Sequence, residues 1–457
     1  MVAEIWTALG FESRPALAVT GAGALDSAFP VTPLATATIG AATAALAELV
    51  EVCGHDRPAV AVDRRLASLW FGRTLLPQGW SLPDEWDPIA GDYETRDGWI
   101  RLHTNAPHHR AVAEAILGPH ADKHSMKNAV ASWQGEALES EIVKAGGCAA
   151  MMRSPEQWHE HPQGQALCAE PLIAWHLAPN SVATAPEIAA PRPLRQVKVL
   201  DLTRVLAGPV AGRFLAGFGA QVLRVDPPWW NEPALAPEVT VGKRCTGLDL
   251  RENPDRVVFE QLLGEADVFL HGYRPGALDH LGYGETQRRA INPALVDVCL
   301  DAYGWTGPWA ERRGFDSLVQ MSSGIAAHGM QASGANRPVP LPVQALDHAT
   351  GYLLAAAVLK GLRERCLSGS AVAARLSLAR TARLLLEHRE AWQTLVSSDA
   401  PPVKLRPVNE RDYAVELEPT GWGPARRLNF PVTLSGCPVS WPHPATPLRS
   451  SGASWAT

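Results

Sequence analysis

The sequence has 457 residues, of which 46% are hydrophobic and 19% are charged, and its formal net charge is -6 at pH 7. This length exceeds one ordinary core and predicts two or three domains, and the composition is that of a globular protein rather than a disordered one. The acidic balance gives no general attraction to nucleic acid or to an anionic membrane surface, so we expect neither as a partner.

The seven cysteines lie far apart, and none belongs to a C-x-x-C pair. They indicate neither a zinc site nor a disulfide framework, and no metal is expected. Reduced thiols, together with an N-terminus that lacks a basic-then-apolar leader, predict a cytoplasmic protein. The nearly uncharged stretch from Pro33 to Val50 consists mainly of Ala and Thr. That stretch is too weakly apolar for a convincing membrane span, so a buried helix is expected there.

The first part of the chain, residues 1–184, is predicted to include a small α+β domain. Residues 92–103 resemble a β-hairpin because two short strands flank the turn residues Asp-Gly. Helical patterns follow near residues 110–117 and 136–144. The Pro-rich segment 185–196 then predicts a linker, since its prolines oppose both helix and sheet.

Residues 197–395 alternate between short apolar strands and helices. The expected strands are Val197–Asp201, Gln221–Asp226, Val268–Leu270 and Leu295–Leu300, and the expected helices are Val210–Phe218, Asp255–Glu265, Gly284–Ala290 and Tyr352–Leu362. This alternation predicts an α/β domain with a doubly wound, Rossmann-like parallel sheet and right-handed crossovers. Residues 396–457 are Pro-rich with little periodicity, which predicts an extended C-terminal tail with a disordered end.

A weak internal repeat relates the two halves of the chain. The Ala-rich helix near Gly351 and the strand after it resemble the helix near Gly40 and the strand that follows that one. In this alignment Asp347 falls on Thr36, so residues 1–184 are interpreted as a degenerate partial copy without the carboxylate. Two Ala-rich helices also resemble each other by composition alone, and this alternative stays open.

Known nucleotide motifs are missing from the chain. The first βα turn, Leu206 to Gly212, is not G-x-G-x-x-G, which argues against an NAD-dependent oxidoreductase. Neither a P-loop nor a G-x-S-x-G elbow occurs in the sequence. Two basic loops contain Lys243 beside Arg244 and Tyr273 beside Arg274. The lysine ammonium group and the planar arginine guanidinium groups suit the binding of a phosphorylated nucleotide. Ordinary charged surface residues explain the same pattern equally well.

Asp347 lies where a Pro-containing apolar stretch meets a long apolar helix. Such a position aims a carboxylate from the start of a helix into a cleft. Its reference pKa of about 3.9 predicts an ionised group at neutral pH that attacks a thioester without an activating base. The segment from His328 to Ala335 is expected to be either a mobile loop that excludes water from the surroundings of Asp347 or a plain surface turn.

The motifs from Val199 onward resemble, in the same order, those of the family III CoA transferases (the CaiB/BaiF group). The matching segments are Val199–Pro209, Gly217–Asp226, Gly242–Arg244, Leu248–Leu250, Ala266–Val268, Tyr273–Leu278, Leu281–Gly282, Asn292–Pro293, Tyr303–Pro308, Gly314–Asp316 and Ala345–Asp347. Each motif is weak alone, and together they are specific.

The resemblance implies transfer of CoA from an acyl-CoA donor to a small carboxylic acid, with Asp347 as the nucleophile. In that family the aspartate attacks the thioester to form an acyl-aspartyl anhydride, and the CoA thiolate returns to form an aspartyl-CoA thioester. Acyl-CoA is then a substrate, and no permanently bound cofactor is expected. Family members form interlocked dimers, so a homodimer is an open expectation here.

The resemblance also implies a set of site residues. The CoA-binding positions fall on Val205, Ala207, Lys243, Tyr273, Arg274, His280 and Arg313. His280 stands where the transferases carry an arginine for the CoA phosphates, which predicts a weaker or pH-dependent contact. Phe315 stands where racemases of this fold carry a histidine, so two-base racemisation has no clear mechanism and transfer is favoured. Asp316 is expected either to orient the reacting groups or to cap the helix from Ser317 onward.

The domain order departs from that of the family. In family members the small domain interrupts the large one, whereas here it precedes the sheet. An acyl-CoA racemase of the same fold is kept as one alternative. A catalytically silent CoA-binding or interaction protein is kept as another, because of this rearranged order and of His280.

Overall fold

The computed structural model describes residues 1–12, 16–178 and 186–455. The helices are α1 (Val2–Ala8), α2 (Val31–Val52), α3 (Arg64–Leu69), α4 (Pro107–Leu117), α5 (Lys123–Ala131), α6 (Gly135–Lys144), α7 (Pro155–Glu160), α8 (Pro162–Ala169), α9 (Ala207–Gly217), α10 (Ala236–Val239), α11 (Asn253–Glu265), α12 (Ala277–His280), α13 (Glu285–Ile291), α14 (Asp316–Ser322), α15 (Ile325–Ser333), α16 (Ala345–Ser368), α17 (Leu378–Glu387) and α18 (Arg389–Val396), with a 3-10 helix at Glu410–Asp412.

Within the described residues the strands form four sheets. They are β1 (Leu17–Thr20), β2 (Val60–Asp63), β3 (Leu75–Pro77), β4 (Gly91–Glu94), β5 (Trp99–Leu102), β6 (Ala149–Met151), β7 (Ala174–Ala178), β8 (Lys198–Leu202), β9 (Gln221–Asp226), β10 (Lys243–Gly247), β11 (Val268–His271), β12 (Val296–Asp301), β13 (Ala371–Ser377), β14 (Glu418–Thr420), β15 (Gly423–Arg427) and β16 (Val432–Leu434).

The largest sheet has the strand order β10-β9-β8-β11-β12-β13-β7. The strands from β8 to β13 run parallel to their neighbours, and β7 pairs antiparallel with β13. Every residue of β11 and β12 is buried, as expected for parallel strands that are covered on both faces. The predicted α/β architecture with a parallel sheet is therefore confirmed, and its doubly wound, Rossmann-like character stays a prediction.

The two longest helices, α2 and α16, pack against each other in the core. In the part of the chain that the structure describes, one helix, α2, is long and apolar enough to cross a membrane, and 94% of its apolar window is buried inside the protein. A buried helix is what the sequence predicted there. Each of the two helices leads into a strand and a further helix, in the order α2-β2-α3 and α16-β13-α17. The internal duplication stays an interpretation of this order.

The small α+β unit contains the antiparallel sheet β4-β5-β6 and the helices α4, α5 and α6. The predicted hairpin is confirmed, since Gly91 pairs with Leu102 and Glu94 with Trp99. The unit also packs on α14, where Cys148 and Ala150 meet Leu318. This contact brings the first part of the chain against the segment that precedes α16.

The C-terminal segment differs from the predicted tail. Its strands β15 and β16 pair with β3 and β2 from the first part of the chain. The backbone N–H of Ser451 donates to the Cys245 carbonyl at 2.7 Å. Cys245 belongs to β10, which lies at the edge of the sheet and leaves such groups unpaired. The expected disordered end is therefore wrong up to residue 455, and residues 456–457 lie outside the described residues.

The proposed domain boundaries stay a prediction. Sheet pairing crosses them, because β7 joins β13 and β16 joins β2. Residue 185 of the predicted linker lies outside the described residues, and Ile188 and Leu194 farther along are buried.

The predicted loop or turn from His328 to Ala335 is mostly helix α15. Gly324 and Gly334 flank this helix with positive φ angles of 90° and 66°, which glycine adopts without strain. Ile325 and Ala326 are buried in the first turn of the helix. The two predictions for this segment are therefore wrong, because a buried face and glycine ends make it a short helix.

Candidate functional site

Helix α16 begins where the side chain of Asp316 binds its first backbone N–H groups. The Oδ2 atom of Asp316 accepts hydrogen bonds from the backbone N–H of Leu346 at 2.8 Å and of Asp347 at 3.0 Å. Its Oδ1 atom accepts a hydrogen bond from the Gln320 amide, whose oxygen accepts the backbone N–H of Leu341 at 2.7 Å. A helix N-terminus leaves such N–H groups unpaired. Asp316 therefore fixes the backbone from which the Asp347 side chain projects.

The expectation that Asp316 caps its own helix is wrong. The capping position of α14 is Phe315, whose side chain makes no capping hydrogen bond. The Asp316 carboxylate instead faces α16, which lies about thirty positions later in the chain. Of the two roles expected for Asp316, the structure excludes the cap from Ser317 and leaves the orienting role.

The Asp347 carboxyl group is disfavoured as an anion in this structure. Asp347 is 8% exposed. Among the described residues, no hydrogen-bond donor reaches its carboxyl group. Burial first, and the neighbouring charge of Asp316 second, raise the pKa of Asp347 well above its ordinary value. Burial and the charge of Asp316 therefore oppose the ionised form of Asp347 that the sequence predicted at neutral pH.

Asp316 holds the charge of the pair more readily. Burial raises its pKa to about 6, although the hydrogen bonds from Asp347 N–H, Gln320 and Leu346 N–H favour its ionised form. The two carboxyl groups titrate as a pair, and hydrogen bonds favour the ionised form of Asp316, whereas no hydrogen bond from a described residue does so for Asp347.

The turn from Val205 to Ala207 lies against the first turns of α16. Val205 has a φ of +66°, which is unusual for a β-branched residue and costs about 1–3 kcal/mol. Its backbone N–H donates to Glu232 at 2.8 Å, which holds the turn in place. A Cβ atom on Gly351 would lie 2.4 Å from the carbonyl oxygen of Ala207, so the missing side chain lets α9 and α16 touch. Gly351 is one helical turn after Asp347.

A cavity of about 210 Å³ opens beside Tyr273 and Arg274. Its other walls include residues of β12 and β13 and the buried side chain of His271. Arg274 is exposed, and none of the ion pairs found among the described residues includes it. The Tyr273 hydroxyl accepts a hydrogen bond from Arg204 at 2.7 Å. This hydrogen bond connects the loop after β8, which contains Arg204, with the loop after β11, which contains Tyr273. The sequence reasoning did not select Arg204 as a site residue, although it directly precedes Val205.

Lys243 is not available to a ligand. It is 1% exposed, and its Nζ donates to Asp201 at 2.9 Å and to the Pro209 carbonyl at 2.9 Å. Burial lowers the pKa of Lys243, and the charge of Asp201 opposes that shift. The structure opposes the expected contact of Lys243 with CoA, because the residue begins strand β10 and its ammonium group is buried in an ion pair. The contact stays a prediction.

His280 and Arg313 lie outside the cavity. His280 is exposed at the end of α12, and its Nδ1 atom lies 2.6 Å from the carbonyl oxygen of Gly276. Arg313 donates to the carbonyl of Gly146 in the small α+β unit at 2.5 Å. The structure does not bring these two residues to Tyr273, and their contacts with CoA stay predictions.

The small α+β unit places two histidines against Phe315. The His103 ring stacks on the Phe315 ring with centroids 3.8 Å apart, and His109 meets the same ring edge-on at 5.9 Å. Burial lowers the pKa of His103 and of His109 to about 3, so both rings are neutral at pH 7. The sequence reasoning missed these contacts, because the histidines lie about two hundred positions before Phe315.

Within residues 1–12, 16–178 and 186–455, no group of three or more His, Cys, Asp or Glu side chains is arranged to hold a metal ion.

The comparisons with known proteins bear on residues 194–417, which match the family model described as CoA-transferase family III. The chain is 30% identical over 311 residues to an acyl-CoA transferase of Gibberella moniliformis, a match that covers 63% of this chain and 54% of that protein. It is 34% identical over 150 residues to the succinyl-CoA–D-citramalate CoA-transferase of Chloroflexus aurantiacus, which covers 30% of this chain and 37% of the relative. The crystal structure of a CAIB/BAIF family protein from Brucella suis is 26% identical, with 51% of this chain and 65% of that chain covered and a TM-score of 0.39. The chain thus spans about half or less of the length of these curated relatives.

Proposed function

We propose that this protein, whose residues 194–417 match the model of CoA-transferase family III as the motifs indicated, moves CoA from an acyl-CoA to a small carboxylic acid through a covalent intermediate on Asp347. The observation that carries the proposal is the buried carboxyl pair of Asp347 and Asp316 within the matched residues. The names of the two relatives, an acyl-CoA transferase and a succinyl-CoA–D-citramalate CoA-transferase, support the same class of reaction.

The proposed reaction uses one carboxylate and the thiolate of CoA. The Asp347 carboxylate attacks the thioester carbonyl, the C–S bond breaks, and an acyl-aspartyl anhydride forms as the CoA thiolate leaves. The thiolate then attacks the aspartyl carbonyl, which releases the donor acid and leaves an aspartyl-CoA thioester. The acceptor carboxylate displaces the thiolate to form a second anhydride. A final attack of the thiolate on the acceptor carbonyl gives the new acyl-CoA and frees Asp347.

The surroundings of Asp347 support an intermediate that water would destroy. An anhydride hydrolyses readily, and burial of the carboxyl group limits access of water to it. The first turn of α16 contributes the partial positive charge of a helix N-terminus, which stabilises an anion on Asp347 once its proton has left. Burial and Asp316 oppose that charge, so loss of the proton is a required step before the attack.

We expect the acid limb of the pH–rate profile to report this proton loss. Turnover should rise with pH through the raised pKa of Asp347, because only the anion attacks. Replacing Asp316 with asparagine removes the neighbouring negative charge, which is the second cause of that raised pKa. The acid limb of Asp316→Asn should therefore move to lower pH, as measured from kcat/KM between pH 5 and 8. A limb that stays in place or moves to higher pH would contradict the coupling, and a mere loss of stability would lower the rate without moving the limb.

The cavity beside Tyr273 is proposed to take part of the CoA molecule. Ligands of open parallel sheets bind at the carboxyl ends of the strands, and Arg204 and Tyr273 follow the carboxyl ends of β8 and β11. The exposed Arg274 then supplies a charge for a phosphate of CoA.

Replacing Arg274 with alanine should weaken CoA binding about tenfold or more, because a charge-assisted hydrogen bond is lost. Calorimetric titration of the protein with CoA measures this change directly. Arg406→Ala is the matched control, since Arg406 is exposed and does not line the cavity. Equal affinity of Arg274→Ala and the unmodified protein would place CoA elsewhere.

A catalytically silent CoA-binding protein is the second candidate. The raised pKa of Asp347 favours it, because a protonated carboxyl group is a poor nucleophile. Racemisation stays the weaker alternative, since Phe315 offers no titratable group at the position of the racemase base.

One assay separates these candidates. The protein is incubated with a panel of acyl-CoA donors and carboxylic acids, and new acyl-CoA products are identified by mass spectrometry. Transfer predicts a new thioester that depends on both partners. CoA binding without any new thioester supports the silent protein. Deuterium uptake at the α-carbon of an acyl-CoA in heavy water, without an acceptor acid, supports the racemase.

A further inference from the structure

Two cysteines from opposite halves of the chain face each other at the ends of the two longest helices. Cys53 follows the last residue of α2, and Cys366 lies in the last turn of α16. Their Sγ atoms are 3.3 Å apart, with the Cys53 thiol donating a hydrogen bond to the sulfur of Cys366. Both residues are free thiols and partly exposed. A small solute therefore has access to a pair of thiols in contact.

We propose that Cys53 and Cys366 form a modification site that a low-molecular-weight disulfide, such as glutathione disulfide, converts to an intramolecular disulfide bond. A disulfide requires an S–S distance near 2.05 Å, so the two sulfurs need to approach each other by about 1.3 Å. Both residues lie at helix ends, where the backbone adjusts more easily than in the middle of a helix. The inference rests on this geometry and is independent of the proposed CoA transfer.

Glutathione disulfide is the oxidant in this exchange reaction and is reduced to two glutathione thiols. The Cys366 thiolate attacks one sulfur of glutathione disulfide and expels a first glutathione thiolate, which leaves a mixed disulfide on Cys366. Cys53 then loses its proton to solvent and attacks the Cys366 sulfur, which expels the second glutathione. Two protein thiols and one glutathione disulfide thus become one protein disulfide and two glutathione thiols. Burial and the hydrogen bond to Cys366 raise the pKa of Cys53 to about 12, which makes Cys53 the resolving thiol.

The bond would join the first and second parts of the chain. It closes a loop from residue 53 to residue 366, and long loops lose the most chain entropy in the unfolded state when they are cross-linked. Cys366 is nineteen positions after Asp347 on the same helix, a separation of about 28 Å along the axis. The bond therefore acts as a clamp between α2 and α16 and lies far from the carboxyl pair.

The test uses the full chain, reduced and then exposed to glutathione disulfide. Remaining thiols are alkylated, and the intact mass and the peptides are analysed without reduction. We expect Cys53 and Cys366 to be lost from the alkylated thiols, no glutathione retained on either of them, a peptide pair linked through the two residues, and a thermal midpoint raised by several degrees.

Serine variants make the result specific. Cys53→Ser should retain glutathione on Cys366, because no second thiol resolves the mixed disulfide. Cys168→Ser is the matched control, since Cys168 is exposed on α8, and it should form the bond as the unmodified protein does. The proposal is overturned if the unmodified protein keeps glutathione on Cys366, links a different pair, or loses no thiols while Cys53→Ser is still glutathionylated.

Discussion

Replacing Asp347 with alanine is expected to abolish CoA transfer, with turnover lowered at least about 10³-fold, while CoA affinity stays nearly unchanged. The proposed reaction passes through two covalent intermediates on this carboxyl group, and alanine offers no atom to form them. The loss should not arise from unfolding. The pKa of Asp347 is raised by burial, so the folded protein gains no charge stabilisation from Asp347 at neutral pH that alanine would remove.

The control for this variant lies on the same helix. Glu364 is a carboxylate of α16 that pairs with Lys360 at 2.7 Å near the surface, and Glu364→Gln should keep full turnover. Rates come from the mass-spectrometric transfer assay, and affinities come from titration with CoA. Turnover by Asp347→Ala within tenfold of the unmodified protein would mean that another group is the nucleophile.

Replacing Lys243 with methionine is expected to lower the free energy of unfolding by about 3–5 kcal/mol, because it leaves the buried charge of Asp201 without its partner. Asp201 is 0% exposed, and its other hydrogen bonds come from Thr203. The direct effect should fall on stability and not on CoA contacts, since Lys243 does not line the cavity beside Tyr273. Urea unfolding of the two proteins at pH 7 measures the difference.

A surface lysine calibrates this prediction. Lys404 pairs with Asp26 at 3.2 Å on the surface, and Lys404→Met should cost less than about 1 kcal/mol. The double variant Lys243→Met with Asp201→Asn should recover part of the loss, because no unpaired charge remains. A stable Lys243→Met protein with strongly weakened CoA binding would restore the role of Lys243 that the sequence suggested.

Local sequence patterns predicted the elements whose hydrophobic pattern is continuous. The strands at residues 198–202, 221–226 and 268–271 lie within two residues of their predicted bounds, because each is a short apolar run that the parallel sheet buries on both faces. The segment from residue 328 to 335, which contains Gly329 and Gly334, is a loop or a turn in the sequence-based prediction. In the fold those glycines flank or enter a short helix whose first turn is buried.

The features of the site that the sequence did not predict depend on contacts between residues that lie far apart in the chain. The motif of Lys243 was interpreted as a basic loop, since nothing near it shows that Asp201 binds its ammonium group inside the sheet. The position of Asp347 was predicted, whereas the raised pKa depends on Asp316 and on burial by distant residues. The stacking of His103 on Phe315 likewise depends on how the small α+β unit packs. Such contacts follow from tertiary structure and leave no local pattern.

Trapping the acyl-enzyme tests the central proposal most directly. The protein is mixed with an acyl-CoA donor that supports transfer, quenched with hydroxylamine, digested and analysed by mass spectrometry. We expect a hydroxamate on the peptide that contains Asp347, formed only with the donor and absent from Asp347→Ala. A hydroxamate on another carboxylate, or transfer at full rate with no modified carboxylate at all, would contradict it.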